Sequence, residues 1–302
     1  MDSLQSIFEL IKSDKYSTED ARRFYKPGEI SQTTGLQKQP DGSWAEPRGK
    51  QTQTKPRVLS AEMRIKIRPG TKDPGKIKTA TSLQKKSLEK ISTKVEVSKI
   101  DSNAIKITDK TVKTLIKDYN MRPLEYIDTY NEPGGAMGTS NGDGISLNED
   151  FFNNPGKYYN NMIQAQNYAV SIYEEAKRMT PIEGMEKEFE EGLQDLEQNT
   201  VRLNALYKGR EVESVVLHEM AHVLSNQRIC MLHGAKTEEM EQIDKYVRET
   251  YDNAMLTGEI NLISQYARKD YIEFFAEAFV VYKMGVDKLP DYITDMIVRV
   301  TG

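Results

Sequence analysis

The apolar positions of this chain fall into two regimes, one on each side of residue 90. Beyond it the spacing of apolar residues is regular. The run Val95–Ile100 predicts a strand, 111–120 a helix and 124–130 a strand. The Gly-, Asn- and Asp-rich stretch 132–144 predicts the turn of a hairpin whose second strand is ISLN, 145–148. Helical spacing dominates from about 158 to 225, with an acidic face at Glu186–Glu197. Further helices from about 236 are broken by Gly258 and by the segment Gly285 to Pro290.

Before residue 90 the pattern thins. A short amphipathic stretch (Leu4, Ile7, Phe8, Leu10, Ile11) and a capped helix over 17–24 precede the Pro-, Gly-, Gln- and Lys-rich run 26–57, which contains the sole tryptophan, Trp44. One alternating strand is expected at 63–70. The expected organisation is a basic, partly extended segment over 1–90 and an α+β domain over 91–302, with a helical insert at about 158–209.

Charge sharpens this division. Residues 1–100 carry 21 Lys and Arg against 12 Asp and Glu, and the rest carries 21 against 34, which together give the net −4. A basic arm on an acidic body points to a solvated tail or a docking segment. Contact with nucleic acid is the weakest of the expectations, because the arm's few aromatics are not interleaved with its basic residues for stacking. No apolar run reaches the roughly 18 residues a membrane span needs, and residues 1–15 lack the apolar core of a signal peptide, so a cytoplasmic chain without membrane contact is expected. Cys230 is the only cysteine, which rules out an internal disulfide and suggests a small buried residue.

The chemistry concentrates in two apolar segments. In 212–226, VESVVLHEMAHVLSN, apolar residues occupy nearly every face of the predicted helix, yet His218 and His222 sit within it four residues apart. Residues at that spacing lie on one face, so both imidazoles can meet one ion, and zinc suits neutral imidazole nitrogen. Glu219 lies one step around the helix, beside the metal, where a carboxylate can act as general base toward water. Two core histidines satisfied by hydrogen bonds are the plainer alternative. The metzincin extension would need glycine and histidine at the positions of Ser225 and Arg228, so His233 has no motif and reads as a loop or helix-end residue.

A third ligand is then expected from a carboxylate on a later helix. The segment 267–285, ARKDYIEFFAEAFVVYKMG, places Glu273 and Glu277 four apart on one face, one able to ligate and the other to fix a ligand histidine's tautomer. The competing reading is an N-terminal cap formed by Asp270 and Glu273 with Glu277 in solvent.

HEMAH followed about 50 residues later by QYARKDYIEFFAEAF resembles the anthrax lethal factor family of zinc peptidases, which includes the clostridial Pro-Pro endopeptidases. The resemblance implies a zincin-like fold and a zinc-dependent endopeptidase, EC 3.4.24-type, with one catalytic Zn2+. It implies His218, His222 and Glu273 as ligands, Glu219 as base, Tyr266 as the catalytic tyrosine steadying the oxyanion, and Glu277 as the supporting acid. It also implies an edge strand pairing with extended peptide or protein substrate, for which GDGISLN, with Gly144, Ile145 and Ser146, is the expected candidate. The segment 33–47, TTGLQKQPDGSWAEP, faintly resembles stretches of phage head-associated proteins. An alternative expectation is therefore a phage virion structural or assembly protein that keeps a zincin-like domain, with phage head components as partners.

Overall fold

In the computed structural model the described residues are 81–181 and 184–302, together with a two-residue-per-strand ribbon, β1 (Gln37–Lys38) against β2 (Trp44–Ala45). The helix expected at 17–24 and the strand expected at 63–70 lie outside the described residues. The chain divides into two compact units, one of residues 1–75 with 169–197, the other of 76–168 with 198–302. In the first, the described elements are the ribbon, the second half of α4 (Pro155–Ala176) and most of α5 (Glu186–Asn199), which carries Glu186 and Glu188 in its first turn.

The second unit is α+β: a four-stranded mixed sheet with helices. It takes in α1 (Ser82–Leu88), because Leu88 is fully buried and Gln84 bonds Ser102. The strand expected at 95–100 lies earlier, as β3 (Ser92–Val95), while Val97 and Ile100 continue into the core without strand pairing. Helix α2 (Ser102–Asp118) begins nine residues before its expected start, because the Asp101 carboxylate accepts from the amides of Asn103 and Ala104 and caps it. Strand β4 (Leu124–Tyr130) falls where it is expected.

The expected hairpin is a different structure. β4 and β6 (Ile145–Asn148) run parallel, with Ile127 opposite Ile145, and the connection contains an additional strand, β5 (Gly138–Ser140), antiparallel to β6. The sheet order is β3-β4-β6-β5. The tight turn is therefore only 141–144, where Gly142 adopts φ +90°, the Asn141 carboxamide accepts from the Asp143 amide and Ser140 Oγ accepts from the Gly142 amide. Strand β6 is consequently an inner strand, paired on both sides, and the exposed edge beside it is β5.

After α3 (Glu149–Asn153) and the two insert helices, the chain enters α6 (Glu211–Ile229), α7 (Glu238–Thr257), α8 (Tyr271–Met284) and α9 (Asp291–Thr301). The insert is less continuous than its periodicity predicts: 177–185 and 200–210 are non-helical among the described residues. Gly258 and Gly285 end α7 and α8 in the left-handed conformation. Helix α6 is apolar on all sides because it is covered on all sides, by α2, α8 and the β5–β6 hairpin. Its last turn closes on Cys230, a non-glycine residue at φ 49°. That cysteine is half-buried rather than fully enclosed, because its helix ends at the surface. No helix among the described residues is long and apolar enough to cross a membrane.

Candidate metal centre

The site forms where α6 and α8 pack along one another. On α6, His218 and His222 stand one turn apart with ring centroids 4.9 Å from each other. On α8, the Asp270 side chain caps the helix by accepting from the amides of Ile272 and Glu273. That frees the Glu273 carboxylate, which turns to the histidines, so capping and site-building coexist rather than compete.

Three donor atoms converge. Glu273 Oε2 lies 3.1 Å from His218 Nε2 and 3.4 Å from His222 Nε2, and the two Nε2 atoms are 3.2 Å apart. Each residue thus offers one atom to a common point where a metal ion could be held. The other carboxylate oxygen, Oε1, accepts from the Tyr266 hydroxyl at 3.2 Å and from Lys269 Nζ at 3.0 Å. Lys269 also donates to the Tyr266 oxygen at 3.2 Å.

Glu277 holds His218. The ring Nδ1–H donates to Oε1 at 2.7 Å, and Oε2 accepts from Ser264 Oγ and from the Ala205 amide, each at 2.6 Å. A carboxylate so surrounded fixes a proton on Nδ1, so that Nε2, once it gives up its own proton, can turn a lone pair toward the donor cluster. His222 is held differently: its Nδ1 is buried with no hydrogen-bond partner among the described residues, so packing and the contacts of Nε2 with Glu273 and His218 orient that ring. A buried polar atom left unpaired is costly, and it persists here beside the converging donors.

Charges inside the cluster shape its titration. Burial alone would lower the His218 pKa, but the bonds to Glu273 and Glu277 raise it well above the ordinary histidine value. Burial would likewise raise that of Glu273, yet the two histidines hold it well below the carboxylate range. Burial raises the pKa of Glu219, opposed by His218 and His222.

Glu219 is 5% exposed and lines a cleft of 520 Å³ together with His218, Tyr266 and Glu277. The cleft's near wall is the glycine-rich segment Gly134 to Gly138. A Cβ at Gly138 would meet Glu219 Cγ and Oε1, each at 3.0 Å, so glycine allows β5 to sit directly against the carboxylate. Across the wall, the Tyr130 hydroxyl donates to the Ala136 carbonyl, and burial, with the charge of Glu219, pushes its pKa up to about 12.

Of the expected site residues, the structure brings His218, Glu219, His222, Tyr266, Glu273 and Glu277 together. Gly144, Ile145 and Ser146 are not among them: none lines the cleft. Gly144 is pressed against the Tyr126 backbone, Ile145 is fully buried, and Ser146 Oγ donates to Asp128. The edge-strand expectation fails for these three because β5 covers β6. His233 lies in a loop, half exposed, against Asp143 at 3.1 Å.

Sequence reasoning missed Gly138, Ala205, Ser264 and Lys269. Only Lys269 left a signal, its four-residue spacing to Glu273. No family model matches the chain, and no curated protein or solved structure matches it.

Proposed function

We propose that this chain is a zinc-dependent endopeptidase in which His218, His222 and Glu273 hold the metal and Glu219 is the general base. The observation that carries this reading is the donor triangle. Its sides of 3.1, 3.2 and 3.4 Å resemble one face of a zinc tetrahedron, whose ligands lie about 3.3–3.4 Å apart when its bonds are about 2.0–2.1 Å long. Two neutral imidazoles and one carboxylate leave a fourth position open, as catalytic zinc sites do. The same donor set suits iron-dependent oxygen chemistry. Hydrolysis is favoured by Glu219, a buried carboxylate that faces the cleft beside the donors and ligates nothing itself.

A bound zinc ion would supply Lewis acidity toward a carbonyl oxygen and toward water. Glu219 takes the proton of the attacking water and returns it to the leaving nitrogen, and its raised pKa makes it a stronger base. Tyr266 lines the same cleft. Burial, then the charge of Glu273, raises its pKa, so its phenol stays protonated and can donate to the developing oxyanion. Glu277 keeps the His218 tautomer fixed throughout. Among the described residues the cleft lining contains no Lys or Arg to seize a terminal carboxylate, which favours attack on internal bonds.

The decisive experiment measures zinc in the purified chain and in His218→Ala and Glu273→Ala, and cleavage of an unfolded protein by wild type and Glu219→Gln. One zinc per chain, lost from both ligand variants, with cleavage that needs Glu219, is the expected result. Absence of zinc would end the metal reading; zinc without any cleavage would move the weight to an assembly role.

A further inference from the structure

The far wall of the cleft comes from the segment between the sheet and α6. Tyr158, Asn161, Met162 and Ala165 recur at three- and four-residue spacing and so share one face of the first half of α4. Leu203 and Leu206 join them. The charged lining residues, His218, Glu219 and Glu277, all sit at the donor end.

Two observations say what this wall accepts. Leu203 lines the cleft yet is 50% exposed, so an apolar side chain faces open space. The acid and the phenol among the lining residues here are already engaged: the Tyr158 hydroxyl donates to Asp150 Oδ2 at 2.6 Å, and both oxygens of Glu277 are held by His218, Ser264 and Ala205, while Asn161 and Asn204 offer neutral carboxamides. A charged side chain entering here would lose its hydration and find no opposite charge on the wall, only the neutral carboxamides of Asn161 and Asn204. A leucine, methionine or phenylalanine side chain would exchange water for contact with Met162 and Leu203.

We infer that the first half of α4, with Leu203, forms a specificity wall that selects a bulky apolar residue next to the bond being cut. The cleft volume of 520 Å³ suits such a side chain with its flanking backbone. The inference deepens the endopeptidase reading and rests on it.

The test uses N-acetylated hydroxamates of leucine, glycine and aspartate, titrated calorimetrically into the zinc-loaded full chain. The hydroxamate group probes the metal; the side chain probes the wall. The leucine compound is expected to bind about ten- to hundred-fold tighter than the other two. In Leu203→Arg the aspartate compound gains on the leucine compound, and Ala165→Trp weakens the leucine compound more than the glycine one. Equal affinities for all three in wild type overturn the specificity wall while leaving the metal site standing. A leucine preference that neither variant alters overturns it equally. Failure of every hydroxamate to bind, with no zinc retained, overturns the metal reading and this inference together.

Discussion

Helices α6 and α8 and the Gly134–Gly138 wall face each other across the cleft, and they are built on opposite plans. The helices work through side chains that apolar surroundings would ordinarily exclude. Three acids and two histidines stand among buried valines and phenylalanines, and most of their polar atoms are matched to a partner. The wall works through side chains that are missing. At Gly138 an added Cβ would stand 3.0 Å from Glu219 Cγ and Oε1, so its absence lets the strand sit a few tenths of an ångström closer than another residue would allow. One side of the cleft thus stores the chemistry and the other stores the clearance.

The contrast is broken most severely on the helix side. Glu219→Gln keeps the shape but removes the base, and kcat is expected to fall about 10²–10⁴-fold with zinc content unchanged. Retained activity would show that Glu219 is not the base. On the wall side, Gly138→Val forces β5 away from Glu219 and from Val215 Cγ1, which the new Cβ would approach at 3.1 Å. A displacement of that kind is expected to cost about 10²-fold in kcat/KM, again with zinc bound. Gly135→Ala is the comparison, because the three atoms its Cβ meets first all belong to the Glu132 side chain, which can move, and the loss should be much smaller. Equal losses in the two variants would deny the wall any fine geometry.

The same contrast explains what the sequence made legible. His218, His222, Glu273 and Glu277 were readable because each pair lies within one helical turn, where spacing alone determines geometry. The position of strand β4 was readable as well. The parallel pairing of β4 with β6 was not, because three-residue β5 is too short to show a period, and without it the connection looks like a long hairpin turn. That one omission also misplaced the edge strand. Ser264 and Ala205 were invisible for another reason: they reach Glu277 from 13 and 72 residues away, and the Ala205 contribution is a backbone amide.

Those distant partners supply the next prediction. Ser264→Ala removes one of two donors to Glu277 Oε2, so the carboxylate holds His218 less firmly, and zinc affinity is expected to fall about ten-fold in a chelator competition. Unchanged affinity would leave the Ala205 amide as the sufficient anchor. Lys269→Met has a smaller expected effect, about two- to five-fold in kcat, because the ammonium is 55% exposed and bonds only the outward oxygen of Glu273 and the Tyr266 hydroxyl. No change in kcat would make the lysine a bystander.

The mildest test concerns stability, and it separates helix side from wall because only the helices titrate. In the metal-free protein the His218 pKa is raised, so protonated His218 contributes stability that is full below its unfolded value of about 6.5 and is lost as pH rises through the raised value. Glu273 is lowered, so its contribution is present above about 4.5 and is lost as pH falls through the lowered value. Chelator-treated protein should therefore lose a few degrees of melting temperature, about 2–4 °C per kcal/mol, as the pH is raised from neutrality through the His218 transition. Metal competes with that proton for the same imidazole nitrogen, so the zinc-loaded protein should not show the alkaline loss. Identical melting profiles with and without chelator across this range would mean that His218 exchanges no proton for a metal, and the contrast between a chemical side and a clearance side would lose its electrostatic half.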